Sequence, residues 1–235
     1  YGFTTNAENN SITRFNFGQS FSNAPTATNL GSFGVLSGPA GIFPIKDNTN
    51  WYLFVTNGTT NTLARLDFGQ SLLNIPTAVN LGNLNGTMHD CWDISIQKYC
   101  YQIIGFVLNA DDTYNNIVRL NFNNDLLSVP SATSLGNIGN LSFPHSFSKL
   151  FRVVIDRSNF IPNAHNNTLT RLKFSGCTNP DIPGTTQYTP PPITYDSAGV
   201  YNISLDVDDE LPTQTSCCKQ IVVKNYDTCK SLRRT

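Results

Sequence analysis

Charge is what this sequence has least of. Asp, Glu, Lys and Arg make up 13% of its 235 residues and sum to a net charge of −1, about half the charged share usual for a globular domain. Such a chain has no long-range field to gather nucleic acid or anionic lipid, so neither is an expected partner. No apolar run approaches the ~18 residues of a membrane-spanning helix, and direct membrane insertion is not expected. Histidine is down to three residues and methionine to one. No Cys-x-x-Cys pair occurs, which weakens zinc and thioredoxin-like readings. Gly-x-Ser-x-Gly, His-Glu-x-x-His, the phosphate-binding loop and the dinucleotide fingerprint are all missing. There is no charged and then apolar leader. The chain opens at Tyr1 in a run that already reads as a strand, which suggests a piece of a longer, exported polypeptide.

Other residues are plentiful. The 15 Phe and 9 Tyr within an apolar fraction of 39% are enough for a packed core and argue against disorder. The 29 asparagines, with many Ser, Thr and Gly, mark turns at short intervals.

Self-similarity is the strongest signal. Phe17-Gly18-Gln19-Ser20 returns as Phe68-Gly69-Gln70-Ser71. An arginine column runs Arg14, Arg65, Arg119 and Arg171, at spacings of 51, 54 and 52. An asparagine column runs Asn6, Asn57, Asn109 and Asn163. A third column carries Pro25-Thr26-Ala27-Thr28-Asn29-Leu30-Gly31, Pro76-Thr77-Ala78-Val79-Asn80-Leu81-Gly82 and Pro130-Ser131-Ala132-Thr133-Ser134-Leu135-Gly136.

One unit has no helical periodicity and reads as short strands between Gly, Asn and Pro signals. In the cleanest unit, strands are expected over 41–47, 51–56, 63–68 and, more polar, 77–84. Within 63–68 the alternation puts Ala64, Leu66 and Phe68 on one face and Arg65 and Asp67 on the other. Four antiparallel strands per unit of about 50 residues is the arithmetic of a β-propeller blade.

The repeat also resembles the NHL and YVTN class of propeller repeats, through Pro39-Ala40-Gly41-Ile42, Lys46-Asp47, the aromatic run from Asn50 to Asn57, and Asn61-Thr62-Leu63-Ala64-Arg65-Leu66. That resemblance covers 1–176 and implies about 3.5 blades, with N-terminal blades missing, because first strands are found for only three of the four units. It weakens at Phe143-Pro144-His145-Ser146-Phe147, which replaces the Pro-x-Gly-Ile step. After a proline-rich stretch, Tyr195, Gly199, Tyr201, Leu205 and Val207, followed by Ile221 and Val223, are similar to the last strands of a PKD domain, an immunoglobulin-like sandwich. The expected organisation is an all-β chain with propeller blades over 1–176, a short PKD-like segment over 177–225 and a tail or linker over 226–235. The combination resembles large surface or secreted proteins of gliding bacteria that use the type IX export route.

The six cysteines are Cys91, Cys100, Cys177, Cys217, Cys218 and Cys229. In a β-rich, low-charge chain they suggest an oxidising compartment and therefore disulfides. Fifteen pairings are open. Locality favours Cys91 with Cys100 across one hairpin, and Cys177 with Cys217 or Cys218.

In a propeller, the loops before first strands and those between second and third strands share one face. His89, Asp90 and His145 fall there, as a candidate ligand face with acid–base or metal-binding side chains. No spacing motif joins them, so no catalytic residue and no metal site is assigned. The arginine column reads first as a structural position repeated with the fold. The acidic turn Asp206, Asp208, Asp209 and Glu210 offers the oxygen ligands of a structural calcium, and reads first as a solvated hairpin end. No other cofactor is expected.

These features point to a non-catalytic, extracellular or cell-surface module for adhesion or recognition of glycan or protein partners, within a longer chain or larger assembly. Two other readings stay open: a lactonase- or hydrolase-like propeller with a metal in its channel, and a purely structural spacer.

Overall fold

The structure is a computed structural model that describes residues 1–99, 102–149, 151–153, 156–174, 192, 194–195, 197–207 and 215–224. Among these residues the chain is all-β: antiparallel strands and no helix. It divides into two compact units, Tyr1–Phe174 and Ser175–Thr235.

The first unit is a series of sheets in strict up-and-down order. The first sheet holds β1 (Gly2–Asn6), β2 (Ser11–Asn16) and β3 (Thr26–Gly31). The second holds β4 (Pro39–Asp47), β5 (Asn50–Asn57), β6 (Thr62–Gly69) and β7 (Thr77–Gly82). The third holds β8 (Cys91–Tyr99), β9 (Gln102–Ala110), β10 (Asn115–Asn121) and β11 (Ser131–Ser134), and the fourth β12 (Phe151–Val153), β13 (Asp156–Asn163) and β14 (Thr168–Phe174). The expected strands of the second unit of sequence therefore form, the first three extended by a residue or two and the fourth two residues shorter, at Thr77–Gly82. Ahead of β13 the described residues form β12 and a lone bridge between Pro144 and Asn163.

Repeated residues make repeated turns. After β2, β6 and β10 the chain turns at a left-handed residue, Gly18, Gly69 and Asn123, with φ of 66°, 61° and 48°. Each turn is closed by a side chain two residues earlier. The N–H groups of Gly18, Gly69 and Asn123 donate to Asn16 Oδ1 (2.9 Å), Asp67 Oδ1 (2.8 Å) and Asn121 Oδ1 (3.0 Å). Only Gly and Asn take this backbone readily, which is why these positions do not vary more.

Neighbouring sheets pack face to face, so central strands are buried on both sides. In β5, Tyr52 and Phe54 point toward the third sheet and join Ile94, Ile96, Val107 and Phe122. Leu53 and Val55 point the other way, with Ile12, Leu66 and Phe68. This period-2 division explains why 51–55 reads as an unbroken apolar run. Leu108, Ile117, Leu141, Ile161 and Leu172 form the third layer, between the third and fourth sheets. Phe54 is fully buried with its ring 5.1 Å from that of Phe122. Burial of such a side chain contributes roughly 1.5–3 kcal/mol.

The asparagine column is structural, with Asn57, Asn109 and Asn163 buried and Asn6 half-buried. Asn57 and Asn109 are completely covered. Asn57 Oδ1 accepts from Ser37 N–H (3.0 Å), and its amide donates to Val35 O and Thr62 Oγ1 (3.0 Å each). Asn109 Oδ1 accepts from His89 N–H (3.1 Å), and its amide donates to Thr87 O (2.8 Å) and Asn116 Oδ1 (2.9 Å). Each ties the loop before an inner strand to the hairpin beside it.

Two arginines of the column, Arg14 and Arg65, tie one sheet to the next. Arg14 Nη1 donates to Leu72 O (2.6 Å) and Asn74 O (3.4 Å). Arg65 Nη1 donates to Leu126 O (2.8 Å) and Leu127 O. Arg119 and Arg171 are exposed.

The disulfide expectation fails at Cys91, which is a free, buried thiol. It starts β8, opposite Asn109, while Tyr99 ends the same strand. Eight extended residues separate those ends by about 26 Å, far beyond the ~6 Å of a bridged pair, so Cys91 cannot reach the hairpin end next to Tyr99. Burial pushes the Cys91 thiol up to about 12. Cys217 and Cys218 lie on β16, whose side chains are not described there, and Cys100, Cys177 and Cys229 lie outside the described residues.

The second unit contributes a two-stranded hairpin, β15 (Gly199–Val207) with β16 (Thr215–Val223), paired from Gly199↔Val223 to Val207↔Thr215. Tyr195 and Tyr201 pack with ring centroids 4.4 Å apart, and Tyr201 Oη donates to Ser197 O (2.8 Å). The acidic residues Asp208, Asp209 and Glu210 lie outside the described residues.

Candidate functional site

The loops before inner strands and the loops between second and third strands meet along one edge of the first unit. One repeated bond brings them together. The N–H groups of Gly38, Asp90 and Phe143 donate to the side-chain oxygens of Asn10, Asn61 and Asn115, each in the sheet before (2.6 Å in all three). All three donors have positive φ: 57°, 37° and 53°. Asp90 is therefore a left-handed staple residue. Its carboxylate lies against Gly58 of the second sheet.

The staple aligns the residues that follow it. Pro39, Cys91 and Pro144 pair with Asn57, Asn109 and Asn163. The register then slips: β8 runs from Cys91 to Asp93 while β9 moves only from Asn109 to Leu108. Trp92 is the extra residue of this bulge, and a bulge turns a side chain out of the ladder. By the same count Ala40 and His145 hold the corresponding places in the second and fourth sheets.

Trp92 and His145 are in contact, with ring centroids 4.4 Å apart. Phe143 stands edge-on to Trp92 at 5.6 Å and stacks on His165 at 4.3 Å and 19°. A second stacked pair, His89 on Tyr114 at 3.8 Å and 11°, joins the same two kinds of loop in the third sheet. His89 Nε2 lies 3.0 Å from Gly86 O, so that nitrogen carries the hydrogen. The indole N–H of Trp92 is buried and has no acceptor among the described residues.

Asp93 lies under this cluster. Its Oδ1 accepts from Ile94 N–H (2.8 Å) and its Oδ2 from Phe147 N–H (2.7 Å). The second bond ties β8 to the inner segment of the fourth sheet. A Cβ added to Gly41 would come within 2.5 Å of Asp93 Cα, so β4 and β8 touch backbone to backbone here and only glycine fits. Burial raises the Asp93 carboxyl to about 6, against the pull of the two N–H donors.

The expected trio is thus dispersed. His89 is stacked on Tyr114, Asp90 belongs to the staple, and His145 joins Trp92. Among the described residues no three His, Cys, Asp or Glu side chains are placed to hold a metal together. Trp92, Phe143, His165 and Tyr114 were not candidates from the sequence. The available signal was the loss of the Pro-x-Gly-Ile step: the small Ala40-Gly41 pair becomes Trp92-Asp93 in one repeat and His145-Ser146 in the next.

The chain matches no protein-family model, no curated protein and no solved structure. What the fold defines is an all-β repeat protein of serially stacked antiparallel sheets.

Proposed function

We propose that this chain is a non-catalytic recognition module exported to the cell surface, and that the Trp92–His145 rim binds glycan. In this reading the sheets are blades of a propeller-type array. Their shared staple, their up-and-down order and the approach of the inner strands at Gly41 and Asp93 support that assignment. The hairpin β15–β16, with Tyr195, Gly199 and Tyr201 in the spacing of the PKD pattern, supports a PKD-like end to the chain.

The observation that carries the functional reading is the bulge. The array places a small residue, Ala40, at the bulge of the second sheet, a large ring, Trp92, at that of the third, and His145 at the corresponding place of the fourth, directly after the Pro144–Asn163 bridge. Trp92 and His145 are both only half-buried, so part of each ring meets solvent. An aromatic face with a few convergent polar groups is what a sugar ring needs: its C–H face packs on the ring, and its hydroxyls take the polar groups.

A second reading, an acid–base hydrolase, draws on the raised Asp93 carboxyl. Both Asp93 oxygens are already occupied by N–H groups of Ile94 and Phe147, which is the use of a positioning carboxylate.

The test is a glycan array probed with the wild-type chain, Trp92→Ala and His145→Ala. Retention of a defined glycan by wild type, weakened at least about tenfold in both variants, is expected, since one lost aromatic contact is worth ~1.4 kcal/mol or more. Equal retention by all three proteins, or none by wild type, removes the reading and leaves the spacer.

A further inference from the structure

The two outer faces of the first unit are the two halves of one contact that the chain already makes twice internally. Each internal contact has three parts. The first is the arginine bond from one sheet to the carbonyls of the loop after the third strand of the next. The second is an apolar residue two places before the arginine: Ile12 and Leu63, both fully buried. The third is an apolar side chain on the acceptor loop: Leu72, packed against the layer holding Ile12, and Leu126, 1% exposed in the layer holding Leu63.

At the outer faces each part stands open. On the fourth sheet, Leu169 holds the place of Ile12 and Leu63 and is 62% exposed, and Arg171 is exposed with no described acceptor. On the first sheet, Phe21 holds the place of Leu72 and is 81% exposed. Its loop is already folded into the acceptor shape. Asn23 Nδ2 donates to Phe17 O (3.0 Å) and Asn23 N–H to Ser20 O (3.1 Å). In the loop that receives Arg14 the matching bonds are Asn74 Nδ2 to Phe68 O (2.8 Å) and Asn74 N–H to Ser71 O (3.0 Å).

We propose that the fourth sheet of one copy docks on the first sheet of a second copy, head to tail, with Arg171 donating to the carbonyls of Phe21 and Asn23 and Leu169 packing on the Phe21 ring. The occupant is assigned by continuity: the Phe17–Asn23 loop of the first sheet repeats the folded loop, with a large apolar side chain in the place of Leu72, that Arg14 meets inside the chain. A heterologous contact of this kind closes into a ring or propagates. It stands independently of the glycan reading.

The experiment is sedimentation equilibrium of the full 235-residue chain from about 1 to 100 μM, where micromolar association is visible. Wild type is expected to associate. Arg171→Ala and Phe21→Asp are each expected to weaken association at least about tenfold, the first by losing a charged hydrogen-bonded contact and the second by replacing the ring that packs on Leu169 with a hydrated carboxylate. Both residues are exposed, so unfolding midpoints are expected to match wild type, and Arg171→Lys keeps the charge if Arg171→Ala does not fold. The decisive sample is an equimolar mixture. Arg171→Ala retains an intact first sheet and Phe21→Asp an intact fourth sheet, so the mixture is expected to form a one-to-one pair that neither variant forms alone. A wild-type monomer throughout the range overturns the proposal and assigns the faces to further repeats of a longer polypeptide. Association untouched by both variants, or a mixture that stays monomeric, overturns it as well.

Discussion

Trp92 and His145 occupy one repeat position in two neighbouring sheets, and their rings lie 4.4 Å apart. The fold fixes their backbone through the Asn61 and Asn115 staples and leaves their side chains free to differ from Ala40. A structural repeat holds the bulge, and the bulge residue carries what is particular to each sheet. Trp92 is only partly buried. Trp92→Ala is therefore expected to cost about 1–2 kcal/mol of stability, below the ~3–5 kcal/mol of a fully buried aromatic, while removing glycan retention. Urea unfolding together with the array measures both. A cost at the upper value with retention intact makes Trp92 a core plug.

Arg65 is 8% exposed and bonded to two carbonyls of the next sheet, whereas Arg14 is more open. Arg65→Ala leaves those carbonyls buried without a donor, at an expected cost of about 2–4 kcal/mol. Arg14→Ala, whose carbonyl partners water can reach, is expected to cost about 1 kcal/mol. Paired denaturation curves test the order. Equal costs place the stabilisation in the arginine side chains' own packing.

The sheets were legible in the sequence because each repeated residue makes a local turn. Phe68-Gly69 and Asn80-Leu81-Gly82 announce their turns within a few residues, and Ala64, Leu66 and Phe68 announce their face by alternation. The links between sheets were not legible. Arg65 and Leu126 are 61 residues apart, and nothing in either neighbourhood names the other. The same holds for Cys91, whose distance from the far end of its strand follows only from the length of β8. The candidate site was half legible. The His89 and His145 loops were legible as sharing one edge, but the bulge that turns out Trp92 is a one-residue register slip. It appears only once β8 is laid against β9.

Asn109 is buried and accounts for the loop that carries His89, through bonds to His89 N–H and Thr87 O. Asn109→Ala removes both and leaves buried backbone groups unpaired, so a loss of about 2–3 kcal/mol is expected. Hydrogen exchange is expected to accelerate in residues 83–90 more than in β10. Uniform acceleration across the third sheet overturns a local role for this side chain.

Cys91 is expected to be inert in the folded state. Its burial holds the thiol protonated, with the N–H of His89 opposing and the Asp90 charge adding to the effect. Alkylation at pH 8 followed by peptide mapping is expected to leave Cys91 unmodified until denaturant is added. Rapid native labelling at Cys91 refutes its burial, and recovery of Cys91 in a disulfide-linked peptide refutes its free state.

Asp93 gives the fold an unusual pH dependence. Its folded carboxyl titrates near 6, raised by burial from 3.8. The native state therefore binds this proton more tightly than the unfolded chain. The stability Asp93 contributes is complete below about 4 and is lost as pH rises through about 6. The gap corresponds to roughly 3 kcal/mol at neutral pH, at 1.36 kcal/mol per unit. The ordinary carboxylate has the opposite sign, because its pairing is lost in acid. Denaturation of wild type across pH 4–8 is expected to show declining stability over the lower half of that range and a level curve above about 6, and Asp93→Asn to flatten the decline. Asparagine keeps one acceptor for Ile94 or Phe147 and carries no charge to bury, so its stability at pH 7.5 is expected to equal or exceed wild type. A wild-type curve that rises from pH 5 to 7, unchanged in Asp93→Asn, would mean that the site between β8 and Phe147 is wet, and that the two N–H bonds hold the carboxylate charged without penalty.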